Sequence, residues 1–479
     1  DHTHSPPPTD NLDPWQQQAL FDLWTRFFRL CRVQQGTQDS AEDLKPNNSP
    51  WKASLPSDAG STSSRKGKHL SELKEMRNFL HKYGGQRLRK VFWQMVKGEH
   101  PDAIMLRCLR ARKWDIDRAL AILGAIAAWR VEERVEEIAQ GGEARLAQTR
   151  GGINVHQKGI SYAHGAAING EPIYIIEVGR HYSSSQTQEE LKQKIILDLE
   201  TLASLMPPPV ERKVVIFNMQ NFSLRNMDYW CVFYLVKSMQ KYPETLARVY
   251  VHAAPWIFKP VWAILKPLLD PVVREKIRLT SDIKELEEYI PLDRLPKESM
   301  KGEMDWVFEW DPPVEGENDV QLDTATRDAL QEEYFTICFQ LERATRAVSR
   351  CLDKFYAERE EAQAGSASAS SATGRGRYDR HHPPPHQESD DSSSIVGGVE
   401  WDEPAELASL KAKRDVLATK LRVIWLQLRP YMTGVVVQAR WNVMQPDGTI
   451  VWTYPKLDGT VEEQRFGEET SLPALARNL

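Results

Sequence analysis

Cysteine is scarce in this chain. The five present (Cys31, Cys108, Cys231, Cys338 and Cys351) are odd in number, widely spaced and without a C-x-x-C pair. That usage argues against a disulfide framework and reads as reduced thiols in a cytosolic protein. Long apolar runs are missing as well. No stretch of about 18 uncharged apolar residues occurs, so no segment reads as a transmembrane helix. Positive charge is not in excess: the formal net charge is -5 and the pI near 6.2, against the basic face that general nucleic-acid affinity requires. The chain opens at Asp1 without Met, which leaves its natural start open, and no signal-peptide pattern follows. P-loop, HExxH and GxSxG motifs and zinc-spaced Cys/His sets are lacking, so no nucleophile–base constellation, cofactor or metal is expected. Ser71–Lys74 fits S-x-x-K by chance, and His381, His382 and His386 sit in a Pro/Ser setting that reads as solvated linker.

What is present falls into segments. Residues 1–68 hold a loose Pro-rich start, an amphipathic helix over Trp15–Cys31 and a polar linker. That helix carries Ala19, Leu20, Leu23, Trp24, Phe27 and Phe28 on one side and Arg26, Arg29 and Arg32 on the other. The stripe suits packing on the protein itself, with a membrane-surface helix as the lesser alternative. Residues 69–150 are helical in pattern, broken at Gly84-Gly85 and near Pro101. Over 151–303 short apolar runs (Ile173–Val178, Val214–Met219, Arg248–Ala253, Lys276–Leu279) alternate with helical stretches at about 188–205, 226–242 and 257–269. That alternation predicts an α/β body with a mostly parallel sheet. Residues 304–362 return to a helix with near-heptad apolar spacing, 363–397 read as a disordered linker, and 398–479 as a second heptad-like helix plus a β-hairpin. The hairpin is expected from Val435–Val443 and Ile450–Tyr454 around Pro446-Asp447-Gly448, and the two late helices can pair antiparallel.

The most informative stretch is Met105–Arg130. Arg107, Arg110, Arg112 and Lys113 crowd one short helical segment, Trp114-Asp115 interrupt it, and a second helix restarts with Asp115 as N-cap and Ile116, Leu120, Leu123, Ile126 and Trp129 as its buried stripe. Further on stand Gly170-Glu171-Pro172-Ile173-Tyr174, Tyr242-Pro243-Glu244-Thr245-Leu246, Ala253-Ala254-Pro255-Trp256-Ile257-Phe258, and Leu265-Lys266-Pro267-Leu268-Leu269-Asp270-Pro271. In this order they resemble the CRAL-TRIO lipid-binding domains, in their fungal phosphatidylinositol-transfer branch, over residues 69–303. The resemblance implies an N-terminal helical bundle, then a mostly parallel sheet with helices enclosing an apolar cavity, to which the C-terminal helical pair and hairpin are added. It implies a non-enzymatic carrier of phosphatidylinositol that meets a membrane surface transiently.

Carried over position by position, the resemblance places Arg112, Glu244 and Lys276 at the inositol-phosphate headgroup, where Arg and Lys satisfy phosphate oxygens and Glu accepts from hydroxyls or orients the Arg. The structural alternative pairs Arg112 with Glu244. The helix from Pro255 to Leu269 would be the gate, with Trp256, Phe258, Val261, Trp262 and Leu265 on its apolar face and Tyr174 on the cavity wall. An ordinary sheet-covering helix is the plain alternative. Several positions depart from the family pattern: Thr245 and Val273 near the headgroup, Asn218 for an Asp of the central strand, Lys213-Val214-Val215 where phosphatidylcholine binders place hydroxyls, and Lys301-Gly302-Glu303 for a terminal Gly-Gly. These disfavour phosphatidylcholine and suit a second, apolar ligand such as a sterol or squalene-like lipid. The competing reading is a lipid sensor or scaffold that recruits a protein partner through 320–479. Either would be cytoplasmic and peripheral at membranes such as endosome, endoplasmic reticulum or lipid droplet.

Overall fold

The computed structural model describes residues 12–36, 63–269, 271–372 and 403–470. Two compact units form, one from the residues up to Cys338 together with those from Ala418 onward, the other from Phe339–Leu417. The first begins with six helices: α1 (Pro14–Leu30), α2 (Ser63–Val96), α3 (Pro101–Ala111), α4 (Ile116–Glu132), α5 (Val135–Leu146) and α6 (Arg150–Gln157). Consecutive left-handed residues at Lys113 and Trp114 turn the corner between α3 and α4, and the Asp115 carboxylate then accepts from the Arg118 amide at 3.0 Å. Gly84 takes a non-helical conformation, φ +73 and ψ 170, so two helical stretches meet there within α2, and a Cβ on Gly85 would stand 2.0 Å from the Leu30 carbonyl oxygen. The helix is broken where the sequence predicts, and the glycine pair lets α1 approach.

Helix α1 packs on its own protein. Trp24 and Phe27 meet the Phe92 ring at 5.3 and 4.7 Å, and the Trp24 indole donates to Asp102 Oδ1 at 2.6 Å. Arg26, expected on the polar side, is buried and paired with Asp117 of α4. The membrane-surface alternative therefore fails for this helix: its apolar stripe is already covered. The linker between residues 37 and 62 lies outside the described residues.

Five strands follow in spatial order β1 (Ser161–Ala166), β2 (Pro172–Glu177), β3 (Lys213–Asn218), β4 (Leu246–His252) and β5 (Ile277–Thr280). The pair β1/β2 is antiparallel and the rest parallel. Helix α7 (Gln188–Ser204) joins β2 to β3, and α8 (Tyr229–Met239) joins β3 to β4. Strand β1 escaped the sequence reading because Ser-Tyr-Ala-His-Gly-Ala holds no apolar run. Alternate residues take opposite faces. Ile173, Ile175, Val214, Ile216 and Tyr250 pack under Leu286, Ile290, Leu295 and Met300. The other face carries Tyr174, Val215 and Val249 against Leu202 and Leu205 of α7.

The C-terminal residues complete this body. Val435–Val443, expected as a strand, instead contains a short helix over Val437–Arg440; the hairpin is β6 (Ile450–Pro455) with β7 (Val461–Phe466). The Val-rich run was misread because its charged end is called inward: Arg440 pairs with the buried Glu143, and the Val437 amide donates to Glu143 Oε1 at 3.1 Å. Trp452 and Tyr454 are buried beside β1, the Ala166 amide donates to the Tyr454 hydroxyl at 3.0 Å, and the Arg294 guanidinium lies 3.6 Å from the Tyr454 ring centroid.

The second unit is a helix pair. It takes the later part of the long helix Thr324–Ala372 and the earlier part of the helix Ala405–Met432. Arg414 Nε donates to Thr345 Oγ1 at 2.8 Å, while Cys351, further along, feels the charge of Glu406, so the two run antiparallel as their heptads suggest. The first helix reaches Ala372, into the expected linker, and residues 373–402 lie outside the described residues. Among the described residues no helix is long and apolar enough to cross a membrane.

Candidate functional site

Helix α8 is apolar all round, yet among its residues only Leu235 and Ser238 are fully buried. A helix of that kind inside a folded body must border open space. The space is a cavity of about 470 Å³ between α8, the sheet and the segment that follows β4. Ile176, Phe217, Val249, Val251 and Ile277 form its sheet wall; Val232, Leu235, Val236 and Met239 come from α8. This size and lining are those of a small-molecule or lipid-chain site.

The covering segment is not one helix. Trp256–Phe258 is a 3-10 turn, α9 (Lys259–Leu265) follows, and Lys266–Leu268 is again 3-10 before α10 (Pro271–Glu275). Pro260 is accommodated in the first turn of α9, whereas Pro267 removes an amide and tightens the chain. Phe258, Trp262, Leu265, Leu269 and Val273 line the cavity. Val261 is buried just behind them with Met219, Phe222, Val251 and Phe258. Trp256 does not belong to the lining. It is 79% exposed, because the 3-10 turn rotates it away from Phe258. Tyr174 stays off the cavity too: it is buried toward α7, and its hydroxyl donates to Asp198 Oδ2 at 2.6 Å. The Leu268 side chain lies outside the described residues.

Arg112, Glu244 and Lys276 all reach the same cavity. Their pairing differs from the expected alternative. Arg112, the residue closing α3, donates from Nε to Glu72 Oε2 at 3.2 Å, and its second nitrogen meets the other oxygen of Glu72. Glu244 sits in a left-handed conformation, φ +57, which swings its carboxylate toward Lys276, 3.8 Å away. Lys276 Nζ also donates to the Leu246 carbonyl at 2.7 Å. Glu244 and Lys276 keep 31% and 23% side-chain exposure, so both can trade this loose contact for a ligand. Val273 lines the cavity with no polar atom, and Asn218 is elsewhere, donating to Glu177 Oε2 and the Ser299 carbonyl, each at 2.8 Å.

Lys213, which the sequence marks only as a departure from the family pattern, is a further cavity residue. It is fully buried, lines the cavity, donates to Thr245 Oγ1 at 3.2 Å and sits 5.3 Å from the Tyr242 ring centroid. Burial pushes its amine down to about 8, with the Arg107 charge adding to the effect and Glu200 opposing it. The available signal was a lysine opening an otherwise apolar central strand, Lys-Val-Val-Ile-Phe.

An apolar chamber lies between a mixed five-stranded sheet and a broken covering helix, with cations and a carboxylate at its polar side. The model of the CRAL/TRIO domain family matches residues 156–299, and that of the CRAL/TRIO N-terminal domain matches 69–124. Among relatives, it is 35% identical over 266 residues to the phosphatidylinositol transfer protein CSR1 of Eremothecium gossypii, across 54% of this chain and 61% of that protein. It is 32% identical to the CRAL-TRIO domain-containing protein C3H8.02 of Schizosaccharomyces pombe, across 54% of this chain and 58% of that one. Against the SEC14 cytosolic factor of Eremothecium gossypii it is 27% identical, across 52% and 80%. The match thus spans about three fifths of the first two relatives.

Proposed function

We propose that this protein is a non-enzymatic lipid carrier that takes phosphatidylinositol into the cavity and exchanges it between membranes from the cytoplasmic side. One observation carries the reading: a largely apolar cavity of about 470 Å³ with Arg112, Glu244 and Lys276 on its lining. Keeping an acyl chain dry is worth about 0.8 kcal/mol per methylene, so a two-chain lipid leaves a bilayer only for an apolar enclosure of this kind. The segment from Pro255 to Leu269 serves as the gate. It covers the cavity with Phe258, Trp262 and Leu265, and it is interrupted by 3-10 turns where it can hinge. Trp256, exposed beside it, meets the membrane surface while the gate opens.

The sheet wall of Ile176, Phe217, Val249, Val251 and Ile277 also favours a second, apolar cargo of sterol or squalene type, which would use the chamber without the headgroup residues. A sensor that passes lipid occupancy to a protein partner through 320–479 is the competing role. Native mass spectrometry of the purified full chain tests the proposal. Phosphatidylinositol released as a one-to-one complex is the expected result; a protein that carries no lipid, and moves none between vesicles, refutes it.

A further inference from the structure

A second cavity, of about 140 Å³, shares Tyr242, Pro243 and Thr245 with the first and is too small for a lipid chain and headgroup together. Its lining holds six cationic side chains, Lys97, Arg107, Arg130, Lys241, Arg422 and Arg429, against two carboxylates, Glu99 and Glu200. Four of the cations are neutralised. Lys97 and Arg130 share Glu200 at 2.7 and 2.9 Å, Arg107 pairs with Glu99, and Lys241 pairs with Glu75 at 2.9 Å. Arg422 and Arg429 differ. They lie two turns apart on the helix Ala405–Met432 and so share one face.

Among the described residues every hydrogen-bond partner of this pair is neutral. Arg422 Nε donates to Thr470 Oγ1 at 2.8 Å and its terminal nitrogen reaches the Gly448 and Glu468 carbonyls at 3.5 Å. Arg429 donates to the Gln445 carbonyl at 3.1 Å. The nearby Asp447 carboxylate is engaged by Arg465 at 3.0 Å and by the Thr449 amide at 2.9 Å. Each guanidinium has five N–H donors in a fixed fork, so among the described residues most of those on Arg429 are unfilled. Burial lowers the proton affinity of both, and Arg422 repels Arg429 further. The carboxylates of Glu468, Glu99 and Asp447 act on Arg422 only without a direct contact, and two half-buried like charges whose hydrogen-bond acceptors are neutral are costly unless an anion joins them.

We propose that this pocket binds a phosphate group, held by the forks of Arg422 and Arg429. Phosphate fits better than carboxylate, since it brings up to two charges and three acceptor oxygens to two converging forks. The phosphate belongs either to a soluble phosphorylated molecule or to a phosphorylated inositol headgroup at a membrane. The site lies beside the larger cavity and shares Tyr242, Pro243 and Thr245 with it, but Arg422 and Arg429 line only the smaller one.

The test uses the full chain, with inorganic pyrophosphate titrated calorimetrically at constant ionic strength. In parallel, the chain is sedimented with phosphatidylcholine vesicles with and without phosphatidylinositol 4-phosphate. Saturable pyrophosphate binding that weakens about tenfold in Arg422→Gln or Arg429→Gln, and is lost in the double variant, supports a soluble source. Sedimentation that needs the phosphorylated lipid and is lost in the double variant supports the headgroup source. The unliganded melting temperature should change little in either variant, because relief of the repulsion between the two guanidinium groups offsets the hydrogen bonds lost to Thr470 and the Gln445 carbonyl. Neither form of binding by the intact protein, or binding undiminished in the double variant, overturns the proposal. Should the double variant not fold, hydrogen exchange on the intact protein decides: pyrophosphate must protect the 422–429 stretch, and no protection overturns it.

Discussion

Lys213 opens a strand whose next four residues are Val214, Val215, Ile216 and Phe217, and its amine is fully buried with a hydroxyl and an aromatic face for company. The unfolded amine keeps its ordinary value of 10.5 and the folded one lies near 8. Between those values the folded state holds fewer protons than the unfolded, so stability rises with pH across that window and the penalty is fully present below it. At pH 7 that penalty is roughly 3 kcal/mol. Lys213→Met should therefore unfold at higher denaturant concentration than the native chain at pH 7, with the difference shrinking as pH approaches 10.5. Urea titrations of both chains across that range measure it, and equal stability at pH 7 would show that the amine costs nothing.

Glu244 and Lys276 define the second residue-scale expectation. Both are partly exposed and joined only at 3.8 Å, so neither is needed to hold the fold. Glu244→Ala and Lys276→Ala should each slow phosphatidylinositol transfer about tenfold, the worth of one charge-assisted hydrogen bond, and leave transfer of an apolar lipid unchanged. Vesicle-to-vesicle transfer of the two labelled lipids separates the outcomes; equal loss for both would make the residues structural. These positions were readable because they stand in ordered motifs. Glu72, the partner of Arg112, was not, since it lies forty residues away on a helix whose placement is set by tertiary packing.

At the scale of elements, the covering segment divides its aromatics by direction. Phe258 is buried against Phe222, with ring centroids 5.9 Å apart, while Trp256 stands in solvent. Phe258→Ala should destabilise the first unit by about 3 kcal/mol or more, as a phenylalanine deletion leaving a cavity does. Trp256→Ser should change stability by about 0.5 kcal/mol or less and weaken binding to vesicles several-fold. Denaturant melts paired with vesicle flotation read both variants; a destabilised Trp256→Ser chain would place that ring inside. The sequence pattern showed an apolar helix here but not its interruptions, because helical periodicity assigns Trp256 and Phe258 without knowing that the first turn is 3-10. The same weakness moved the hairpin by one strand: Val435–Val443 has strand-like residues, yet Glu143, nearly three hundred positions earlier, draws Val437 and Arg440 into a helical turn.

For the whole molecule, the C-terminal residues and the α/β body share a core, and His164 on β1 lies where they join. Its ring is 4.0 Å from that of Trp306 and 5.5 Å from that of Trp452, centroid to centroid, and its Nδ1 has no hydrogen-bond partner among the described residues. Burial holds the imidazole down to about 3, far under the 6.5 of an exposed ring. Below pH 6.5 the unfolded chain takes up a proton that the folded chain refuses, so the stability this ring leaves intact at neutral pH is lost progressively as pH falls from 6.5 toward 3. At pH 4.5 the loss is roughly 3 kcal/mol. His164→Phe, which keeps an aromatic ring among the tryptophans and removes the titration, should lose less stability between pH 7 and pH 4.5 than the native chain by about that amount. Urea midpoints of both proteins at the two pH values give the comparison. An identical acid sensitivity would mean that protonation reaches the first unit through other groups and that water already enters the junction between β1 and the C-terminal hairpin.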